Sequence, residues 1–106
     1  MNEKSLSLDL LEKGSNLCQF LQTEKSEMLL SSRFFDALCK MCESCYSLKN
    51  PSLAKTELSA LRKTASLEAD KISLYLDSLL SLGYISQAQR ESMIKSVDIL
   101  KKETNI

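Results

Sequence analysis

The chain contains no histidine and no tryptophan, and only two glycines and one proline among 106 residues. Without histidine there can be no Ser-His or Cys-His nucleophilic pair. The Glu-x-x-His pattern of di-iron bundles is excluded for the same reason. Two glycines and one proline are too few for a turn-rich all-β fold, and no glycine-rich loop is present to cradle a phosphate. Formal charge sums to zero and the sequence pI is about 6.3, so a strongly basic nucleic-acid footprint is absent. No apolar run approaches the roughly 18 residues of a membrane helix. Asp9 and Glu12 interrupt the stretch that would serve as the core of a signal peptide. The expectation is a cytoplasmic protein without a membrane segment, whose four cysteines are reduced thiols.

What remains is ordinary globular composition, 43% hydrophobic and 26% charged, in a length that suits one domain over residues 1–106. The apolar residues repeat with helical period. Helix 1 is expected from about Ser5 to Thr23, with Leu10, Gly14, Leu17 and Leu21 on one face. Gly14 costs a helix about 1 kcal/mol against alanine, which a close helix contact would explain. Helix 2 is expected from about Glu27 to Leu48, with Leu30, Phe34, Leu38, Met41 and Cys45 as its stripe. Asn50 and Pro51 then suit an N-cap and first helical position.

Helix 3 is expected from Pro51 to Leu82, on the order of 48 Å long. Its stripe is Leu58, Leu61, Ala65, Ile72, Leu76 and Leu79, and Gly83 falls where a left-handed C-terminal cap belongs. Helix 4 opens at Ser86, with Gln89 completing a capping box. It carries Met93, Val97 and Leu100 on its apolar face. Short connections make neighbours antiparallel. The fold is expected to be all-α, an up-down-up-down antiparallel four-helix bundle.

A second set of apolar rows exceeds the need of one seam. Phe35, Cys39, Cys42 and Tyr46 lie about 100° from the main stripe of helix 2. Leu53, Ala60, Leu67 and Leu74 repeat every seven residues on helix 3, and Leu11 and Cys18 flank the row of helix 1. A wide apolar face inside one bundle would absorb some of these. Leu67 and Leu74 lie too far from the seam, and a monomer would leave them in water. Self-association through Phe35, Cys39, Tyr46, Leu53, Ala60, Leu67 and Leu74 is the favoured reading.

Chemistry is harder to find. Cys39, Cys42 and Cys45 spell C-x-x-C-x-x-C, the pattern of a zinc or iron–sulfur site. On a helix, steps of three make the outer two sulfurs diverge by about 120°. A fourth ligand could come only from Cys18 or a carboxylate, so small apolar packing is the better account. Glu68 and Asp70 are two apart and form no acid–base pair. Neither an enzyme nor a cofactor is expected. Glu68 falls near the helix 3 seam, either as a flanking residue reaching water or a lysine, or as a polar contact fixing register across helices or subunits. Lys95, Lys101 and Lys102 on helix 4 are solvated charges in one chain. In an oligomer they could line up as rims that contact nucleic acid.

Ala65, Glu68, Ala69, Tyr75, Leu76, Gly83, Tyr84 and Ile85 match a pattern close to I-A-x-K-E-A-x-E-T-x-Y-W-L followed by G-Y-I. This resembles the small bacterial four-helix bundles named for the intervening sequences of 23S ribosomal RNA. Tyr75 stands where that family often has tryptophan, Lys71 where it has the second glutamate, and Leu67 where it has lysine. Leu17–Leu21 and Leu29–Phe35 look like its helix 1 end and helix 2 start, so the similarity runs from about Leu10 to Ser86. The family's polar run on helix 2 is replaced here by Arg33, Asp36, Ala37, Lys40, Met41, Ser44 and Cys45. The resemblance implies a bundle without known enzymatic activity. It also implies a fold similar to the accessory proteins of diversity-generating retroelements, which form pentameric rings and bind nucleic acid and a reverse transcriptase. The function expected is therefore a non-enzymatic, self-assembling interaction module, a homo-oligomer and a pentamer by resemblance, of unknown cellular role. The alternative is a nucleic-acid-binding accessory protein of the reverse-transcriptase type.

Overall fold

The computed structural model describes residues 5–106. Four helices follow one another, α1 (Leu6–Glu24), α2 (Leu29–Ser47), α3 (Lys55–Ser81) and α4 (Gln87–Glu103), with no strand among the described residues. Each helix packs on the next in sequence, and α4 closes against α1. Cys18 on α1 donates to the Ser31 carbonyl near the start of α2, while Gly14 lies at the level of Phe34 and Leu38. Residue numbers thus rise along one helix as they fall along the other. Lys13 of α1 reaches Ser92 and Ser96 in the middle of α4. Cys45 near the end of α2 lies 3.8 Å from Thr104 at the end of α4, so these two helices run the same way. The topology is up-down-up-down.

The bundle closes over the stripes expected from the sequence. Leu10, Leu17 and Leu21 are buried with Phe34, Leu38, Met41 and Cys45, and with Ala65, Ile72, Leu76 and Leu79. Met93, Val97 and Leu100 complete the core from α4. Full burial of each large aliphatic side chain is worth about 1.5–3 kcal/mol. Leu30, Leu58 and Leu61 are only half-buried. For the two leucines of α3 the cause is length. α3 has 27 residues and α2 has 19, so the first two turns of α3, about 12 Å, overhang their neighbour.

Helix ends follow capping chemistry, with two departures from the sequence reading. Ser5 caps α1 and Ser86 caps α4, where Ser86 and Gln89 exchange hydrogen bonds at 3.1 and 2.8 Å. At the end of α3, Gly83 has φ +83°. Gly83 N–H donates to Leu80 and Tyr84 N–H to Leu79, which is the Schellman pair.

The first departure concerns α3, which starts at Lys55 and not at Pro51. Asn50 does not cap it. Its Oδ1 accepts from Ser52 N–H at 3.0 Å, closing a local turn that competes with helix initiation. The chain then runs extended at Ala54, whose N–H donates to the Glu57 carboxylate at 3.1 Å.

The second departure is Glu27, expected as the first helical residue of α2. It lies before the helix, buried, and its carboxylate accepts from the N–H groups of Leu30 (3.0 Å) and Ser31 (2.8 Å). Its own N–H donates back to Leu21 at 2.9 Å. Glu27 therefore joins the end of α1 to the start of α2, across a turn in which Ser26 takes φ +52°.

Candidate self-association surface

Apolar side chains stay exposed at several places among the described residues, and two of these places hold the residues of the expected association rows. The first is a ridge on α3. The core-facing residues Ala65, Ile72, Leu76 and Leu79 cluster on one side of the helix. At about 100° per residue Leu67 and Leu74 project from the opposite side, and they are 54% and 60% exposed. Ala60, exposed, lies on the same line. Leu53 does not. It sits half-buried in the connection before α3, beside Tyr46 and Lys49. The expected seven-residue row loses that member because α3 starts later than Pro51.

The second surface is a groove between α1 and α2. At one end a hollow of about 310 Å³ lies among Leu8, Leu11, Cys42, Glu43 and Tyr46. A separate hollow, of about 390 Å³, is lined by Phe35 and Cys18 together with the polar Ser15, Gln19 and Gln22. Phe35 and Cys39 are half-buried, and Tyr46 is 66% exposed. Leu8 joins this surface at 47% exposure and was not singled out from the sequence. It lies off the α1 seam, and only the neighbouring Tyr46 gives it a role. Ser7 Oγ, beside that first hollow, is buried without a hydrogen-bond partner among the described residues.

The cysteines behave as core residues. Cys18, Cys42 and Cys45 are buried and Cys39 is half-buried, all as free thiols. Burial pushes the Cys18 thiol up to about 11 and Cys42 up to about 12. Cys45 is raised by burial, and Cys39 is raised by burial and then by the nearby carboxylates of Glu43 and Asp36. Such thiols are poor nucleophiles and poor ligands at neutral pH. Among the described residues no three His, Cys, Asp or Glu side chains converge as a metal-binding group.

Glu68 is buried, as its place near the seam demands. Its direct partner is Lys71, 3.2 Å away on the same helix and half in water. Of α2, Lys40 comes near enough for the Glu68 charge to help raise its pKa, though Asp36 beside it does more. No direct bond from Glu68 crosses to another helix among the described residues.

The three lysines of α4 are not brought together. Lys95 and Lys102 are exposed and share one face with Glu91, Asp98 and Ile99. Lys101 is half-buried and lies about 100° away. One subunit thus presents a face of mixed sign there.

Helices and ridge together define a small four-helix bundle with exposed leucines along α3 and an apolar hollow between α1 and α2. No family model and no curated protein matches the chain. A solved structure does. It is a protein of unknown function from the S23 ribosomal protein family of Bacteroides thetaiotaomicron VPI-5482, determined at 1.70 Å resolution. The TM-score is 0.84 at 20% sequence identity, over 93% of this chain and 91% of that one. The likeness is one of fold, and it is the fold of the family that the helix 3 pattern resembles. No helix among the described residues is long and apolar enough to cross a membrane.

Proposed function

We propose that the chain is a non-enzymatic bundle that assembles with copies of itself and acts as an interaction module. One observation carries this reading: Leu67 and Leu74 stand on the side of α3 opposite its buried stripe, each more than half exposed. Scattered single leucines on a surface are ordinary, but leucines aligned along one exposed face of a helix mark an interface. Covering each leucine in an assembly contributes on the order of 1 kcal/mol, repeated at every contact. The binding of nucleic acid by basic rims would depend on the same assembly, because one subunit intersperses its α4 lysines with acids. Light scattering on the purified chain at micromolar concentration tests the proposal. A discrete species several times 11.9 kDa is expected, and a clean monomer overturns it. The 260/280 nm absorbance ratio of that species, with salt-dependent binding to RNA and DNA, separates a nucleic-acid binder from a purely protein-binding module.

A further inference from the structure

A hollow of about 420 Å³ lies between α1 and α4. It shares no lining residue with the α1–α2 hollow or with the exposed leucines of α3. Leu17 and Met93, both buried, form its floor, and Phe20 is a half-buried wall. Lys13, Asn16 and Gln89 supply polar groups. Lys13, Asn16, Leu17 and Phe20 share one face of α1 because their spacing follows the helical period. Small-molecule sites have this make-up, a concave apolar lining of roughly 300–1,000 Å³ with a few placed polar groups.

Lys13 is the one charged residue lining this hollow among the described residues. Its ammonium is fixed there by two neutral acceptors of α4, the Ser92 carbonyl at 2.9 Å and the Ser96 hydroxyl at 2.8 Å. Holding so long a side chain in one place costs entropy, and neutral acceptors do not cancel its charge. An ammonium has three N–H donors, so one more remains for an acceptor in the hollow. Gln89 Oε1 accepts from Ser86 N–H at 2.8 Å, which leaves the amide nitrogen of Gln89 as a donor. Phe20 and Met93 offer what an aromatic ring favours, a second ring and a polarizable sulfur.

We infer that the α1–α4 hollow binds a small aromatic monocarboxylate, with its carboxylate on Lys13 and its ring between Phe20 and Met93. Lys13 and Phe20 are seven residues apart on α1, about 10.5 Å along the helix, so a short stem joins ring and carboxylate. A neutral apolar molecule would fill the hollow but leave the ammonium without a counter-charge. A dianion would find no second cation in the lining. A single carboxylate takes the free N–H of Lys13 as a charge-assisted hydrogen bond, and the Gln89 amide can donate to its other oxygen. Binding would also tie α1 to α4, and so stabilise the fold in proportion to occupancy. The site is independent of the self-assembly proposed above, and either can fail without the other.

Titration of the full native chain with 3-phenylpropionate, and with its neutral counterpart 3-phenylpropan-1-ol, tests this by two-dimensional amide NMR. The acid should give saturable shifts centred on Asn16, Phe20, Gln89 and Met93. The alcohol should bind about tenfold more weakly, the worth of a hydrogen bond to a charged group. Lys13→Met keeps the apolar stem and removes the charge. It should weaken the acid about tenfold without weakening the alcohol, while Lys13→Arg retains most of the acid's affinity. Circular dichroism checks that each variant folds, and the comparison of acid with alcohol on the native chain needs no variant. No saturation at millimolar acid, equal affinity for acid and alcohol, or shifts centred on other residues overturns the inference.

Discussion

Gly14 of α1 lies so close to Leu38 of α2 that a Cβ on residue 14 would overlap the Leu38 side chain. Leu38 is fully buried, so its Cδ2 gives way only by pressing on close-packed neighbours. In an exposed helix, Gly→Ala gains about 1 kcal/mol. Here the overlap should cost about 1–3 kcal/mol and outweigh it. Gly14→Ala is expected to lower the urea midpoint. The double variant Gly14→Ala with Leu38→Ala should lose less than the sum of the two single losses. A stabilised Gly14→Ala variant would show that the two helices do not approach this closely.

Glu27 holds the α1–α2 turn through two backbone N–H groups of α2. Glu27→Ala leaves both without their acceptor and should cost about 1–2 kcal/mol. Glu27→Gln keeps one good acceptor and should fall between that variant and the native chain. Thermal unfolding followed by circular dichroism ranks the three. Equal midpoints for all three would contradict a capping role.

Replacing Glu68 should be tolerated. Its carboxylate is buried, but its partner Lys71 is half in water, so Glu68→Leu strands no buried charge. A buried carboxylate held by one exposed lysine brings little net stability. The expected result is unfolding free energy unchanged or raised by up to about 2 kcal/mol, with assembly unchanged. A loss greater than about 2 kcal/mol, or a changed oligomer, would reveal a contact between helices or subunits that one chain does not display.

The cysteines make stability fall with alkali. A thiol raised by burial keeps its proton in the folded chain at pH values where the unfolded chain has lost it. The folded state then binds more protons, and unfolding becomes easier as pH rises. The stabilising difference is whole below the ordinary thiol value of 9.0 and is lost progressively towards about 11 for Cys18 and about 12 for Cys42. Denaturant midpoints measured from neutral pH upward should decline over that window, and less so in a Cys18→Ala, Cys42→Ala chain compared with its own neutral value. A chromogenic disulfide reagent near neutral pH should label Cys39 first and the buried thiols only as the chain opens.

Much of the bundle was legible in the sequence because a helix stripe is a local property. Leu10, Gly14, Leu17 and Leu21 sit in the core as their spacing implies. Gly83 and Ser86 mark the α3–α4 turn through backbone chemistry that depends on a few neighbouring residues. The start of α3 was misread because Asn-Pro suits both an N-cap with its first helical residue and a separate turn. Hydrogen bonding of Asn50 to Ser52 chose the turn, and Leu53 left the ridge with it. Glu27 was read as helical because glutamate favours helices and no glycine marks that boundary. Its capping role needs the end of α1 in place to bury it.

The candidate surface divides the same way. The alignment of Ala60, Leu67 and Leu74 away from the seam follows from helical period alone, and so does their exposure once the other side of α3 is buried. The groove does not follow from any single helix. Leu8 and Tyr46 are far apart in sequence, and they form one hollow only because α1 and α2 pack antiparallel at that level.

The amino-acid sequence by itself determined four helices, the caps at Ser86 and Gly83, and which side of each helix turns inward. Only the tertiary structure decided that the surplus apolar residues on α3 form a ridge while those on α1 and α2 form a groove. It also turned Glu68 to Lys71 and spread the α4 lysines among acids. The physical reason is that convexity belongs to one helix, whereas a concave surface and the partner of a charge exist only where two chain segments meet.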